Sequence, residues 1–160
     1  MAETQLDVRG LGKAEGYRAL RAQFEALCEG VSDEIALMST MACVLHFGFG
    51  HLWTGFYRRV DESRLVVGPF QGPIGCLEIA IGKGVCGKAA ATRETVVVPD
   101  VNAFEGHIAC DSRSRSEIVV PVFARGGELI AVFDIDSEFI GSFDEEDKAQ
   151  LESWMTWFAR

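Results

Sequence analysis

Two apolar runs, Glu117–Phe123 and Leu129–Asp136, stand on either side of the short segment Arg125-Gly-Gly-Glu128. β-branched and aromatic residues flanking a glycine turn spell a β-hairpin, and a hairpin fixes an antiparallel pair. A second hairpin obeys the same rule. His51–Arg58 reads as a strand, and a turn near Asp61-Glu-Ser63 leads into Arg64–Pro69. Period 2 puts Trp53, Gly55 and Tyr57 on one face of its first strand, with Leu52, Thr54 and Phe56 on the other. Shorter segments at Cys76–Ile81 and Thr95–Pro99 bring the total to about six strands.

Helical stripes surround these strands. Tyr17, Leu20, Phe24 and Leu27 line one face of Glu15–Cys28. Ser32 followed by Asp33 and Glu34 opens a second helix along Ile35, Met38, Ala42 and Leu45, which HFGFGH (46–51) breaks. Gly82–Thr92 opens a short helix. Asp144, with Asp147 three residues on, caps a last one carrying Leu151, Trp154, Met155 and Phe158. This order predicts an α+β fold: one domain over 15–160, with a central antiparallel sheet of about six strands and helices packed on it. Residues 1–14 are expected to form an N-terminal arm.

Charge and cysteine usage narrow the function. A net charge of −9, from 15 basic and 24 acidic residues, argues against a nucleic-acid surface and against anionic membranes. No apolar stretch reaches the roughly 18 residues that span a bilayer, and the start MAETQLDVRG is no secretory signal. Five cysteines, an odd count, do not fit a secreted disulfide scaffold. A reducing, cytoplasmic setting is expected, where a disulfide would be transient.

Cys76, Cys86 and Cys110 lie within one stretch, each beside turn-forming or polar residues, and Asp100–Arg115 reads as a polar loop. A thiol in such a place can ionise, meet solvent and move toward a partner sulfur. Cys86 follows a glycine-rich helix start whose unpaired N–H groups would attract an anion, a carboxylate included, and lower the thiol pKa. Cys28 and Cys43 lie on helices among apolar neighbours and read as packed thiols. Asp134 and Asp136 share a strand face, about 7 Å apart. They are either solvated at a strand end or the wall of an acidic pocket that Glu117 would complete. Crowded, buried carboxyls have raised pKa values and can donate a proton at neutral pH. Trp53 and Tyr57 are either core aromatics or pocket lining. There is no CxxC pair, and His46, His51 and His107 are not at ligand spacing with the cysteines, so no metal is expected. Thiolate, second thiol and proton donor together suit an oxygen-transfer reduction.

The segments GPFQGPIGCLEIAIGKGVCG (68–87), PDVNAFEGHIACDSRSRSEIVVPV (99–122), VFDIDS (132–137) and FDEED (143–147) resemble the free methionine-(R)-sulfoxide reductases, which are single GAF domains. The resemblance implies a GAF-like catalytic domain that reduces free L-methionine (R)-sulfoxide to L-methionine. It implies that Cys110 is oxidised to a sulfenic acid and that Cys76 closes the disulfide, with Cys86 a substitute resolver or a substrate-side residue. It implies that Glu117, Asp134 and Asp136 hold the substrate ammonium and polarise the sulfoxide, and that Trp53 and Tyr57 pack around the methyl end. No bound cofactor, regeneration by thioredoxin or a similar thiol, and a homodimer are implied as well. Cys28 and Cys43 match no motif position. The alternative is a non-catalytic GAF sensor that binds a small molecule or senses redox state, since fold does not fix function.

Overall fold

The computed structural model describes residues 4–160, so the first three residues of the expected arm lie outside the described residues. The chain runs α1 (Lys13–Leu27), α2 (Glu34–Phe49), β1 (Trp53–Arg59), β2 (Arg64–Gln71), β3 (Glu78–Ala80), α3 (Gly84–Thr92), β4 (Val96–Val98), β5 (Ser116–Phe123), β6 (Leu129–Ser137) and α4 (Glu145–Met155). The strands form one six-stranded sheet in the order β3-β2-β1-β6-β5-β4. Every neighbouring pair is antiparallel, β1–β2 and β5–β6 as their hairpin turns require. The expected α+β architecture is present.

Period 2 along the central strands divides the protein into two apolar layers. Phe56, Ile118, Val120, Val122, Phe133 and Ile135 point to one face and pack with the stripes of α1, α2 and α4. Trp53, Tyr57, Val119 and Val132 point to the other face, where Val85, Cys86, Ala89 and Ala90 of α3 cover them. The first layer is large and made of apolar side chains on both sides. The second is smaller and gives way to charged residues toward one end of β5 and β6.

Local signals explain most element ends. Asp144 accepts from the backbone N–H of Glu146 and Asp147, and the Asp147 side chain returns a bond to the Asp144 N–H, a complete capping box. Asp147 also accepts from the buried Tyr17 hydroxyl at 2.8 Å, joining α4 to α1. Asp33, not Ser32, caps α2. That helix runs through HFGF to Phe49 and ends at Gly50, whose φ of 73° glycine adopts without strain. α1 starts at Lys13, inside the expected arm. Val8 is 3% exposed, and its N–H donates to the Gly48 carbonyl at 2.9 Å, so this part of the arm is tied to α2. The strand expected from Cys76 shrinks to Glu78–Ala80, which leaves Cys76 in the preceding loop.

Candidate active site

Strand register brings the acids together. Glu117 on β5 is the cross-strand partner of Asp136 on β6, and Asp136 is in turn the partner of Trp53 on β1. Gly55 pairs with Asp134. Side chains directly opposite on one face stand about 5 Å apart, so the charged ends of two adjacent strands become a cluster beside the aromatics of β1. Trp53, Tyr57, Glu117, Asp134 and Asp136 all line one cavity, closed on the far side by the first turn of α3 and by two loops. The two aromatics are also core residues, at 4% and 2% exposed.

The aromatics position a loop as well as a wall. Trp53 stacks on Tyr57 and on Phe70, with ring centroids 5.5 and 5.2 Å apart. Its Nε1–H donates to the Pro73 carbonyl at 3.1 Å, and the Tyr57 hydroxyl donates to the Cys76 carbonyl at 3.1 Å. Both bonds hold the segment between β2 and β3 that carries Cys76. Gly55 lies between the two rings on this face. A Cβ there would fall 2.3 Å from the Phe70 Cβ and 2.8 Å from Trp53 Cη2, so only glycine fits.

Cys76 and Cys110 are joined by a disulfide across 34 residues of sequence, with Cα atoms 5.3 Å apart. Cys110 lines the acid cavity, on the loop after β4, and Ile74 and Gly75 line it from the Cys76 loop. Cys86 is free, buried and part of the cavity wall. Cys28 is free and buried in the large core, and Cys43 is free and half-buried.

The electrostatics are those of acids crowded together away from water. Burial pushes the Glu117 and Asp134 carboxyls well above the usual carboxylate range, and the neighbouring Asp136 charge adds to both. Asp136 is raised to about 6, chiefly by burial, while a 2.6 Å hydrogen bond from the Ser114 hydroxyl pulls the other way. Asp134 Oδ1 is buried with no hydrogen-bond partner. Burial, then the charges of Asp134, Glu117 and Asp136, drives the Cys86 thiol well above its usual pKa. This reverses the expectation from sequence. The helix N-terminus is present, but enclosure and three nearby acids outweigh its partial charge, and Cys86 is held as a thiol. Tyr57 is likewise raised, by burial first and then by Asp134, and stays a hydroxyl.

Cys86, Glu117 and Asp134 each present a ligand atom within 4.8 Å of the others, the one such group among the described residues. A divalent cation needs these donors deprotonated. Their raised pKa values favour the neutral forms. The arrangement is better suited to giving a proton or to holding an ammonium than to holding a metal.

The chain matches the GAF domain family model over residues 23–157. GAF domain-containing protein A of Dictyostelium discoideum is 44% identical over 151 residues, 94% of each chain. The free methionine-R-sulfoxide reductase of Saccharomyces cerevisiae is 41% identical over 149 residues, 89% of this chain and 83% of that one. The X-ray structure of free methionine-R-sulfoxide reductase from Neisseria meningitidis, in complex with its substrate, superposes with a TM-score of 0.91 at 43% identity, over 99% of this chain and 94% of that one. The chain belongs to the free methionine-R-sulfoxide reductases, a GAF-domain family.

Sequence reasoning overlooked two polar neighbours in this free methionine-R-sulfoxide reductase cavity. His107 lines it, with Nε2 3.2 Å from Glu117 Oε2. Ser114 is buried and donates to Asp136. The available signal for both was position: His107 lies three residues before Cys110 and Ser114 three before Glu117, so a loop that brings cysteine to the acids must bring them too.

Proposed function

We propose that this chain reduces free L-methionine (R)-sulfoxide to L-methionine by a thiol mechanism. The carrying observation is that Cys110 stands on the wall of a cavity lined by two buried acids, Glu117 and Asp134, and the half-buried Asp136, and is bonded to Cys76. The substrate ammonium is held among Glu117, Asp134 and Asp136, where the unpartnered Asp134 Oδ1 awaits a donor. Its carboxylate faces the unpaired N–H groups of the first turn of α3. Its methyl end packs against Trp53 and Tyr57.

The reduced Cys110 thiolate attacks the sulfoxide sulfur. A protonated acid, Glu117 in this reading, protonates the sulfoxide oxygen. The oxygen passes to Cys110 as a sulfenic acid and methionine leaves. Cys76 then attacks the Cys110 sulfur, water departs and the disulfide closes. The sulfoxide gains two electrons and the two thiols lose two. A thioredoxin-type dithiol returns the disulfide to thiols by exchange. Cys86, protonated and enclosed, acts on the substrate side. A homodimer and a cytoplasmic location complete the proposal. No helix among the described residues is long and apolar enough to cross a membrane.

The test is turnover with dithiothreitol or thioredoxin on free methionine (R)-sulfoxide. Wild type consumes it and Cys110→Ser does not. Equal consumption by both would remove Cys110 from the mechanism. Saturable methionine binding with no sulfoxide loss under any reductant would favour the sensor alternative.

A further inference from the structure

Glu117 has the features of an acid that must present one proton in one direction. It is buried, its pKa is pushed up, and a carboxyl group has two oxygens on which that proton can sit. What distinguishes the oxygens is His107. Its Nε2 lies 3.2 Å from Oε2, with side-chain exposures of 14% for His107 and 7% for Glu117. A hydrogen bond this sheltered from water is stronger than an exposed one.

His107 is also placed by its own loop. Gly106 takes φ 78°, a left-handed turn open to glycine, and the His107 N–H donates to the Phe104 carbonyl at 3.2 Å. The turn folds the imidazole back toward β5, while Cys110, three residues on, reaches the same cavity. One loop therefore carries the sulfur that accepts oxygen and the ring that touches the acid. The other titratable groups facing the cavity are Asp134 and Asp136 on β6, Tyr57 on β1, Lys83 and Cys86 at the start of α3, and Asp111 on the same loop.

We propose that His107 is the positioning residue of the acid: in its Nε2–H form it donates to Glu117 Oε2 and so confines the carboxyl proton to Oε1, from which it passes to the sulfoxide. The inference rests on the reductase reading above. A merely structural staple would hold the loop whatever stood at position 117. A positioning residue works only through the carboxyl group.

The experiment is a double-mutant cycle read as methionine formed in the first turnover of the fully reduced protein. His107→Ala slows this step about 10- to 100-fold, part of the 10²–10⁴ that a positioned acid contributes, with half-saturation changed by less than about twofold. His107→Gln retains most of the rate, because its amide N–H sits near the place of Nε2. His107→Asn, whose N–H sits near the place of Nδ1, does not. In a Glu117→Gln background, adding His107→Ala costs less than about twofold, the non-additivity expected of residues acting as one unit. The same 10- to 100-fold loss in that background would overturn the inference, as would a His107→Gln protein as slow as His107→Asn. The Gln and Asn comparison decides the matter even if the alanine variant does not fold. A wild type that forms no methionine sinks the reductase reading and this inference with it. A wild type that turns over beside an unimpaired His107→Ala sinks the inference alone.

Discussion

Replacing Asp136 by asparagine should make the protein more stable at alkaline pH while impairing the site. Asp136 carries a carboxyl pKa of about 6 in place of 3.8, mainly because it is buried. That gap corresponds to about 3 kcal/mol at about 1.4 kcal/mol per pKa unit, the cost of keeping the group ionised inside the fold. The carboxyl is half-buried, so solvent reduces the figure to roughly 1–2 kcal/mol. Asparagine keeps an oxygen for the Ser114 hydroxyl and removes the charge. The sign follows from the direction of the shift. An acid whose folded pKa is raised favours the fold most below about pH 4, and loses that contribution as pH rises through about 6. Wild type should therefore fall in stability relative to Asp136→Asn across this window. Urea unfolding of the disulfide-bonded proteins at pH 4 and pH 8 reads the difference directly. The variant should match wild type at pH 4 and exceed it by roughly 1–2 kcal/mol at pH 8, or about 3–6 °C in Tm for a chain of this size. A difference that is the same at both pH values, or a variant weaker at pH 8, would refute the burial argument.

Three further outcomes are expected. Gly55→Ala drives a Cβ into Phe70 and Trp53, and overpacking of this kind costs about 1–3 kcal/mol; urea midpoints and a raised KM for the sulfoxide check it. Tyr57→Phe removes the hydroxyl bond to the Cys76 carbonyl, worth about 1 kcal/mol; acid-quenched thiol mapping should show methionine forming normally while the Cys76–Cys110 bond closes more slowly. A peptide-bound methionine sulfoxide lacks the free ammonium and carboxylate, and each buried site group left unmatched costs about 1–3 kcal/mol; competition kinetics should show at least a tenfold preference for the free amino acid.

The hairpins, the helix stripes and the Asp144 cap were legible because each is a local pattern: period 2, period 3.6, or a capping spacing. The sheet faces followed, and with them the grouping of Trp53 and Tyr57 opposite Phe56. Val8 was not legible, because a single valine in a polar arm carries no periodicity and gains its burial from the surfaces of α1 and α2. The Cys86 thiol was misjudged for a related reason. A helix N-terminus is visible in sequence, whereas the acids that oppose it arrive from β5 and β6 through strand register. Asp134 and Asp136 could be placed on one face but not inside or outside, since that depends on α3 closing over them. His107 and Ser114 were hidden in a polar loop, where every residue reads alike until the loop is folded onto the sheet.

The disulfide that ties the Cys76 loop to the Cys110 loop has a kinetic consequence on the reductase reading. With the two loops joined, Cys110 has no thiolate to offer. Oxidised protein therefore cannot act on a second sulfoxide until a dithiol has restored it. The molecule works as a turnstile: each passage latches it, and only an arriving dithiol releases the latch. When dithiols run short, latched protein accumulates, and its fraction becomes a measure of the electron supply.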